Sequence, residues 1–263
     1  MKTVKIELPR SLEYVQIHTF ADWHIGDLNC ISEEINRAID EVINNDKAYV
    51  ICNGDLINNA TKGSKSDIYS EVLNPMQAID RLVNLLEPVK DKILMITNGN
   101  HESRTFRESG IDLSAIVAGK LGLLDRYCCE GGLLFLKVGA ESRGRLRNGE
   151  VRQIPYTIYA THGSGGGGRR EGSKITNLSG LSEIIDADIY VHSHTHLPAV
   201  FKNSFFRVDQ SNCAVKKVDR LYVNTSAKLD YGGYGQVGEF KPAATKSPII
   251  ILDGREKKFQ AIL

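Results

Sequence analysis

The chain has no CxxC pair, no long apolar run and no dominant sign of charge. Its five cysteines, Cys30, Cys52, Cys128, Cys129 and Cys213, are scattered and odd in number. That argues against a disulfide framework and points to reduced, mostly buried thiols in a cytosolic protein. The adjacent pair Cys128-Cys129 reads as strand packing rather than redox chemistry. The opening residues, MKTVKIELPR, lack the apolar stretch of a signal peptide, and no segment approaches membrane-spanning length. A cytoplasmic protein with no membrane partner is the expectation. A formal net charge of +1 does not announce nucleic acid, yet it leaves room for a local basic groove. No linker or internal repeat appears, and only the glycine-rich run 163–168 is of low complexity. Residues 1–263 therefore read as one domain, long enough to bury its apolar surface without staples.

What is present is an alternation of short apolar strands with amphipathic helices. Val15 to Phe20, Ala48 to Cys52 and Ile93 to Thr97 read as strands. Between them, Ser32 begins a helix to about Asn45, and a second helix spans Asp67 to Leu86 with a break at Pro75. Ile111 to Leu121 and Leu178 to Ile185 read as helices. Leu133 to Val138, Ile154 to Ala160 and Ile189 to His192 read as strands. From Ala199 onward strand-like runs dominate. Helices alternating with strands early and strands late fit two stacked sheets with helices outside.

Five of the apolar strands end in polar clusters of metal-ligand type. They are Asp22-Trp23-His24, Gly54-Asp55, Gly99-Asn100-His101-Glu102, His162-Gly163 and His194-Thr195-His196. Ligands gather at the carboxyl ends of strands in α/β sheets. One such cluster means little, because a lone histidine is usually packed or solvated; five in series point to a metal centre. Imidazole mixed with carboxylate suits Mn, Fe or Zn better than Mg or Ca.

This order of motifs, DxH, GD, GNH, H and HxH, resembles that of the calcineurin-like metallophosphoesterases. The resemblance covers Asp22 through His196. It implies a four-layer αββα sandwich of two mixed β-sheets flanked by helices, and a centre of two divalent metal ions, with Mn the first choice. It implies that one ion takes Asp22, His24, Asp55 and His196, and that the other takes Asp55, Asn100, His162 and His194. Asp55 then bridges the two, and His101 faces the scissile phosphate without binding metal. Two ions about 4 Å apart would clamp the attacking and leaving oxygens of an in-line displacement. Protonation of the leaving oxygen by His101 is worth roughly 10²–10⁴ in rate.

The sequence departs from the family pattern in two places. Ser193 stands where the last motif usually has glycine, which calls for a small backbone adjustment. Asn58 and Asn59 stand where protein phosphatases of the superfamily carry Asp and Arg. That argues against a protein phosphatase and leaves open what orients His101, with Glu102 as a candidate and a solvated surface glutamate as the alternative.

Around the motifs lie weaker features. The run from Gly163 to Arg170 lacks the Lys-Ser/Thr ending of a nucleotide P-loop. It reads as a substrate-facing loop in which Arg169 and Arg170 pair with phosphate, or as a solvated loop. Arg104 and Arg107 follow the GNHE cluster and can hold an anion. Arg143, Arg145, Arg147 and Arg152 surround a turn at Asn148-Gly149, either solvated or on nucleic acid. Tyr231 and Tyr234 can stack a base or pack among glycines. His18 and His192 read as packed side chains. The expected substrate is a phosphodiester, with DNA the natural candidate; a phosphomonoesterase or a non-catalytic metal-binding scaffold are the alternatives.

Overall fold

The computed structural model describes residues 1–64, 67–140, 151–164 and 170–263, with Tyr234 described by its backbone alone. Two six-stranded mixed sheets stack face to face. The first contains β1 (Lys2–Glu7), β6 (Gly132–Val138), β7 (Ile154–Ala160), β8 (Ile189–His192), β10 (Ala214–Asn224) and β9 (Ala199–Asp209), in that spatial order. The second contains β12 (Phe259–Ile262), β11 (Ile249–Asp253), β2 (Tyr14–Phe20), β3 (Ala48–Asn53), β4 (Ile93–Thr97) and β5 (Tyr127–Cys128). Strands β2 to β5 run parallel, as do β7, β8 and β10.

Alternation along the strands assigns the layers. Val15 and Ile17 of β2 point between the sheets, where they meet Leu134, Leu136, Ile158 and Val191 from the other sheet. Phe20, Val50 and Ile96 point outward under α1 (Ser32–Ile43), α2 (Pro75–Leu86) and α4 (Leu113–Lys120). Helix α1 buries Ile35, Ile39 and Val42, the stripe that helical spacing requires. On the far side α5 (Glu171–Ile184) lays Leu178 and Leu181 over Tyr190 and Tyr222. The result is the four-layer αββα sandwich expected.

Local chemistry explains where the sequence reading erred. The helix expected from Asp67 begins only at Pro75. Asn74 and Gln77 close a reciprocal capping box there, and proline suits the first helical turn. Only a short 3-10 turn, Ile68–Ser70, precedes it. Helix α5 starts seven residues before the expected Leu178, and α3 (Glu102–Ser109), a short polar helix, was not foreseen. Of the cysteines, Cys52 and Cys128 are buried, Cys30 is half-buried, and Cys129 and Cys213 are exposed, so the thiols are less buried than expected. His18 and His192 are buried side chains, as read. Arg143, Arg145, Arg147 and Asn148-Gly149 lie outside the described residues, whereas Arg152 is exposed. Among the described residues, no helix is long and apolar enough to cross a membrane.

Candidate metal centre

Strands β2, β3 and β4 of one sheet and β7 and β8 of the other end at the same edge of the sandwich. The loops that follow carry Asp22 and His24, Asp55, Asn100, His162, and His194 and His196 respectively. Backbone hydrogen bonds weave these loops together. Asp22 N–H donates to Gly54 O at 3.1 Å, His24 N–H to Asp55 O at 3.0 Å, and Ser193 N–H to His162 O at 3.1 Å. The Asn53 amide crosses between the sheets, donating to Thr161 O at 2.9 Å and Ser193 Oγ at 2.7 Å. Ser193 thus uses its hydroxyl as an acceptor, and its φ is not positive, so replacing glycine there costs little.

The backbone at this edge is forced. Five of the seven expected ligands, Asp22, His24, Asp55, His194 and His196, have φ between 49° and 65°. Asn59 joins them at 47°. Non-glycine residues in this left-handed region cost about 1–3 kcal/mol each and persist where the surroundings over-determine them. Glycine is required where loops touch. A Cβ on Gly99 would lie 2.2 Å from both Asp55 N and Asp55 Oδ1, and one on Gly54 would lie 2.7 Å from Gly99.

The side chains converge as three overlapping groups: Asp22, His24 and His196; His24, Asp55 and His101; and Asp55, His162 and His194. Within each, one potential ligand atom per residue lies within 4.8 Å of the others. His24 Nε2 and His196 Nε2 face each other at 3.3 Å, and Asp22 Oδ1 is 3.3 Å from His196 Nε2. Ligands about 2.1 Å from one ion at a tetrahedral angle stand roughly 3.4 Å apart, so this spacing suits a shared ion. His162 Nε2 lies 3.1 Å from both Asp55 Oδ2 and Asn100 Oδ1, which brings Asn100 into the third group.

Three observations test whether these residues fit divalent ions. Asp22 Oδ1 and His24 Nδ1 are buried without hydrogen-bond partners among the described residues. Asp22 and Asp55 are almost wholly buried carboxylates, ringed by imidazoles. Finally, His162 Nδ1 faces Asn53 O at 2.8 Å and must donate to it, since a carbonyl only accepts. That fixes the tautomer that leaves Nε2 as a ligand atom, the usual outer support of a metal-binding histidine. Electrostatics agree. Burial opposes charge on His162, but the Asp55 carboxylate pushes its pKa up to about 10, so a proton stands where a cation is called for. Burial would raise the Asp55 carboxyl too, yet His162, His101 and His24 hold it well below the usual range. The residues fit.

His101 sits differently. Its Nδ1 donates to Asn58 O at 2.7 Å, and its Nε2 accepts from Arg104 Nη2 at 2.9 Å, so both ring nitrogens are engaged. Burial, with Arg104 adding to it, lowers its pKa to about 4. What orients His101 is therefore the Asn58 carbonyl, not Glu102. Glu102 is also no surface residue: it is 2% exposed and its carboxylate accepts the backbone N–H groups of Asp55 and Ile57. Asn59 donates to His101 O at 2.7 Å and accepts from Thr105 Oγ1 at 3.0 Å, so it secures backbone where a phosphatase arginine would grip phosphate. Arg104 lies at the site, half-buried. Arg107 and Arg170 are exposed, Tyr231 is 47% exposed, and Arg169 and the Tyr234 side chain lie outside the described residues.

The order of these loops along the chain decides the family. The calcineurin-like phosphoesterase model matches residues 20–198, a span that holds all seven expected ligands and His101. The chain belongs to the calcineurin-like phosphoesterase family. Its members are phosphoester hydrolases that work with divalent metals, and this chain brings together side chains able to hold such ions. No curated protein matches the chain. Similar solved structures include a predicted phosphoesterase from Streptococcus pneumoniae TIGR4, with 14% identity, TM-score 0.37, and 96% of this chain covering 91% of that one. Vps29 of Entamoeba histolytica complexed with zinc is similar at 9% identity and TM-score 0.41, covering 94% of this chain and 98% of that one. Nuclease MPE of Pseudomonas putida is similar at 13% identity and TM-score 0.37, covering 94% and 87%.

The calcineurin-like site also uses residues that the motifs do not announce. Thr225 Oγ1 donates to Asp22 Oδ2 at 3.2 Å, and Lys174 Nζ donates to Thr195 O at 2.9 Å. Their partners lie more than twenty residues away in sequence, and no local pattern marks them.

Proposed function

We propose that this calcineurin-like phosphoesterase is a phosphodiesterase that cleaves DNA with two divalent ions, Mn first among them. The observation that supports it most is the convergence of seven ligand-type side chains, two of them buried carboxylates and five of them held at positive φ. In this reading Asp22, His24, Asp55 and His196 hold one ion, while Asp55, Asn100, His162 and His194 hold the other. When bound, the ions supply Lewis acidity to the phosphate and a water nucleophile at neutral pH.

The chain's own residues do the rest. Asp55 presents one carboxylate oxygen to His162 and receives the His101 backbone N–H on the other, so its orientation is fixed before substrate arrives. Asn100 contributes a neutral oxygen, which limits the negative charge facing an anionic substrate. His101 stands 3.7 Å from Asp55 Oδ2, its ring held by Asn58 O. Arg104 covers the His101 Nε2 and is a cation able to turn toward a phosphate oxygen. When it does, the Nε2 lone pair is freed, and it must first take up a proton from solvent before it can pass one to the leaving oxygen. Arg104 with Arg169 and Arg170 supplies the several positive contacts that a phosphate backbone needs. The protein serves from the cytoplasm as a single domain.

The test is purified protein with Mn²⁺ against single- and double-stranded DNA, a chromogenic phosphodiester, a chromogenic phosphomonoester and a nucleoside monophosphate. Cleavage of the diester and of at least one DNA form is the expected result. Intact DNA together with rapid hydrolysis of the nucleoside monophosphate replaces this reading with a phosphomonoesterase. Bound metal by elemental analysis with no hydrolysis of any of these substrates would leave only the non-catalytic scaffold.

A further inference from the structure

Helix α5 lies on the outer face of the β7–β8 sheet, yet its first turn reaches the metal-site edge. There the half-buried Lys174 donates from Nζ to the carbonyl of Thr195 at 2.9 Å. Thr195 is the residue between His194 and His196, whose φ values are 65° and 53°. Its other polar groups are also tied. Its N–H bonds Ser193 O at 2.6 Å, and its hydroxyl accepts from Asn224 Nδ2 at 2.8 Å. Asn224 is itself held by the buried His192, whose Nδ1 lies 2.8 Å from Asn224 Oδ1. Those ties come from β8 and β10 and fix the root of the turn. The contact to the Thr195 carbonyl comes from outside that sheet and is charge-assisted, which makes it stronger than a neutral one.

Resting on the metal reading above, we propose that Lys174 is a positioning residue that locks the His194–Thr195–His196 turn so that both imidazoles face the ions. His194 and His196 flank Thr195, each left-handed residue costs about 1–3 kcal/mol, and rotation of the Thr195–His196 peptide is the simplest way to relieve His196. Rotation swings the Thr195 carbonyl, so a cation fixed on that oxygen opposes it. Lys174 is kept available for this by its neighbours. Glu171, one turn earlier, is taken up by an ion pair with Lys241 and does not draw Lys174 off the carbonyl. Because His194 and His196 belong to different metal groups, a single contact preorganises both halves of the centre. Outer contacts of this kind are worth about 10–100-fold in metal affinity.

The experiment is a calorimetric titration of wild-type, Lys174→Met and Lys174→Arg protein with Mn²⁺, alongside thermal unfolding of the same proteins freed of metal. Methionine keeps the aliphatic stem and removes the donor; arginine keeps a donor and a charge. Lys174→Met should bind Mn²⁺ about tenfold more weakly, Lys174→Arg should keep most of the affinity, and the metal-free melting points should coincide. Lys174→Met binding Mn²⁺ as tightly as wild type overturns the assignment, and so does a loss of affinity matched by a lower metal-free melting point. A wild-type protein that takes up no Mn²⁺ fails at an earlier step and refutes the metal reading itself.

Discussion

The Glu102 carboxylate accepts the backbone N–H of Asp55 at 3.0 Å and that of Ile57 at 2.9 Å, clamping a loop from a neighbouring strand. This clamp holds Asp55 at φ 50°. Burial, with the nearby Asp55 charge adding to it, raises the Glu102 pKa to about 7. Glu102→Gln keeps the shape but turns one acceptor into a donor facing an N–H. A buried donor left without a partner costs about 1–3 kcal/mol. Urea unfolding at pH 8 should therefore show Glu102→Gln less stable by about 2 kcal/mol. A midpoint and slope identical to wild type would mean the clamp contributes nothing.

Asp55 belongs to two of the three ligand groups, which no other carboxylate among the described residues does. Asp55→Asn keeps the size and removes the charge and one good ligand oxygen. Both ions should bind more weakly together, so that metal content after dialysis falls toward zero rather than to one per chain. Two tightly held ions in the variant would disprove the bridging role.

His101 and Arg104 form one unit, with Nη2 of the arginine 2.9 Å from Nε2 of the histidine. His101→Ala should lower turnover roughly 100-fold while metal content stays near wild type. The loss should shrink for substrates whose leaving group is a weak base, because that oxygen needs less protonation. Arg104→Ala should act mainly on KM. Residues in contact are not additive, so the double variant should lose less than the product of the two single losses. Strict additivity would show that Arg104 neither covers nor releases the histidine.

The convergence of the expected ligands was legible because each of them follows closely on an apolar strand. Strand period and residue type together gave five local signals, and family order joined them. The partners of those ligands were not legible. Glu102 stood out as a neighbour of His101, yet its contact is with Asp55, 47 residues away. What orients His101 is a backbone carbonyl, and a carbonyl leaves no mark on residue identity. Helix α3 was missed because Glu102–Ser109 is polar on nearly every side and buries only Glu102. Lys174 was missed for a related reason: α5 opens Glu-Gly-Ser-Lys, and its apolar stripe starts later. The cap at Asn74 was present in sequence as Asn-Pro-x-Gln, so the start of α2 was readable from capping chemistry alone.

His18 provides a pH test outside the site. It lies in β2, facing outward, with Nδ1 3.9 Å from Glu41 Oε2 and a buried Nε2 that has no hydrogen-bond partner among the described residues. Burial, with Lys92 adding repulsion, lowers its pKa from 6.5 to about 4. The folded protein therefore favours the neutral ring. Below pH 6.5 the unfolded chain takes up a proton that the folded chain refuses, so stability is lost as pH falls from 6.5 to about 4 and the loss then levels off. A shift of this size corresponds to about 3 kcal/mol at most. His18→Leu removes the titrating ring and fills the same buried position. Urea unfolding of both proteins at pH 7 and pH 4.5 should show a smaller drop in the variant, by about 2 kcal/mol, since the other titrating groups are common to both. An equal drop in the two proteins would mean that His18 is protonated in the folded state and that Glu41 stabilises its charge.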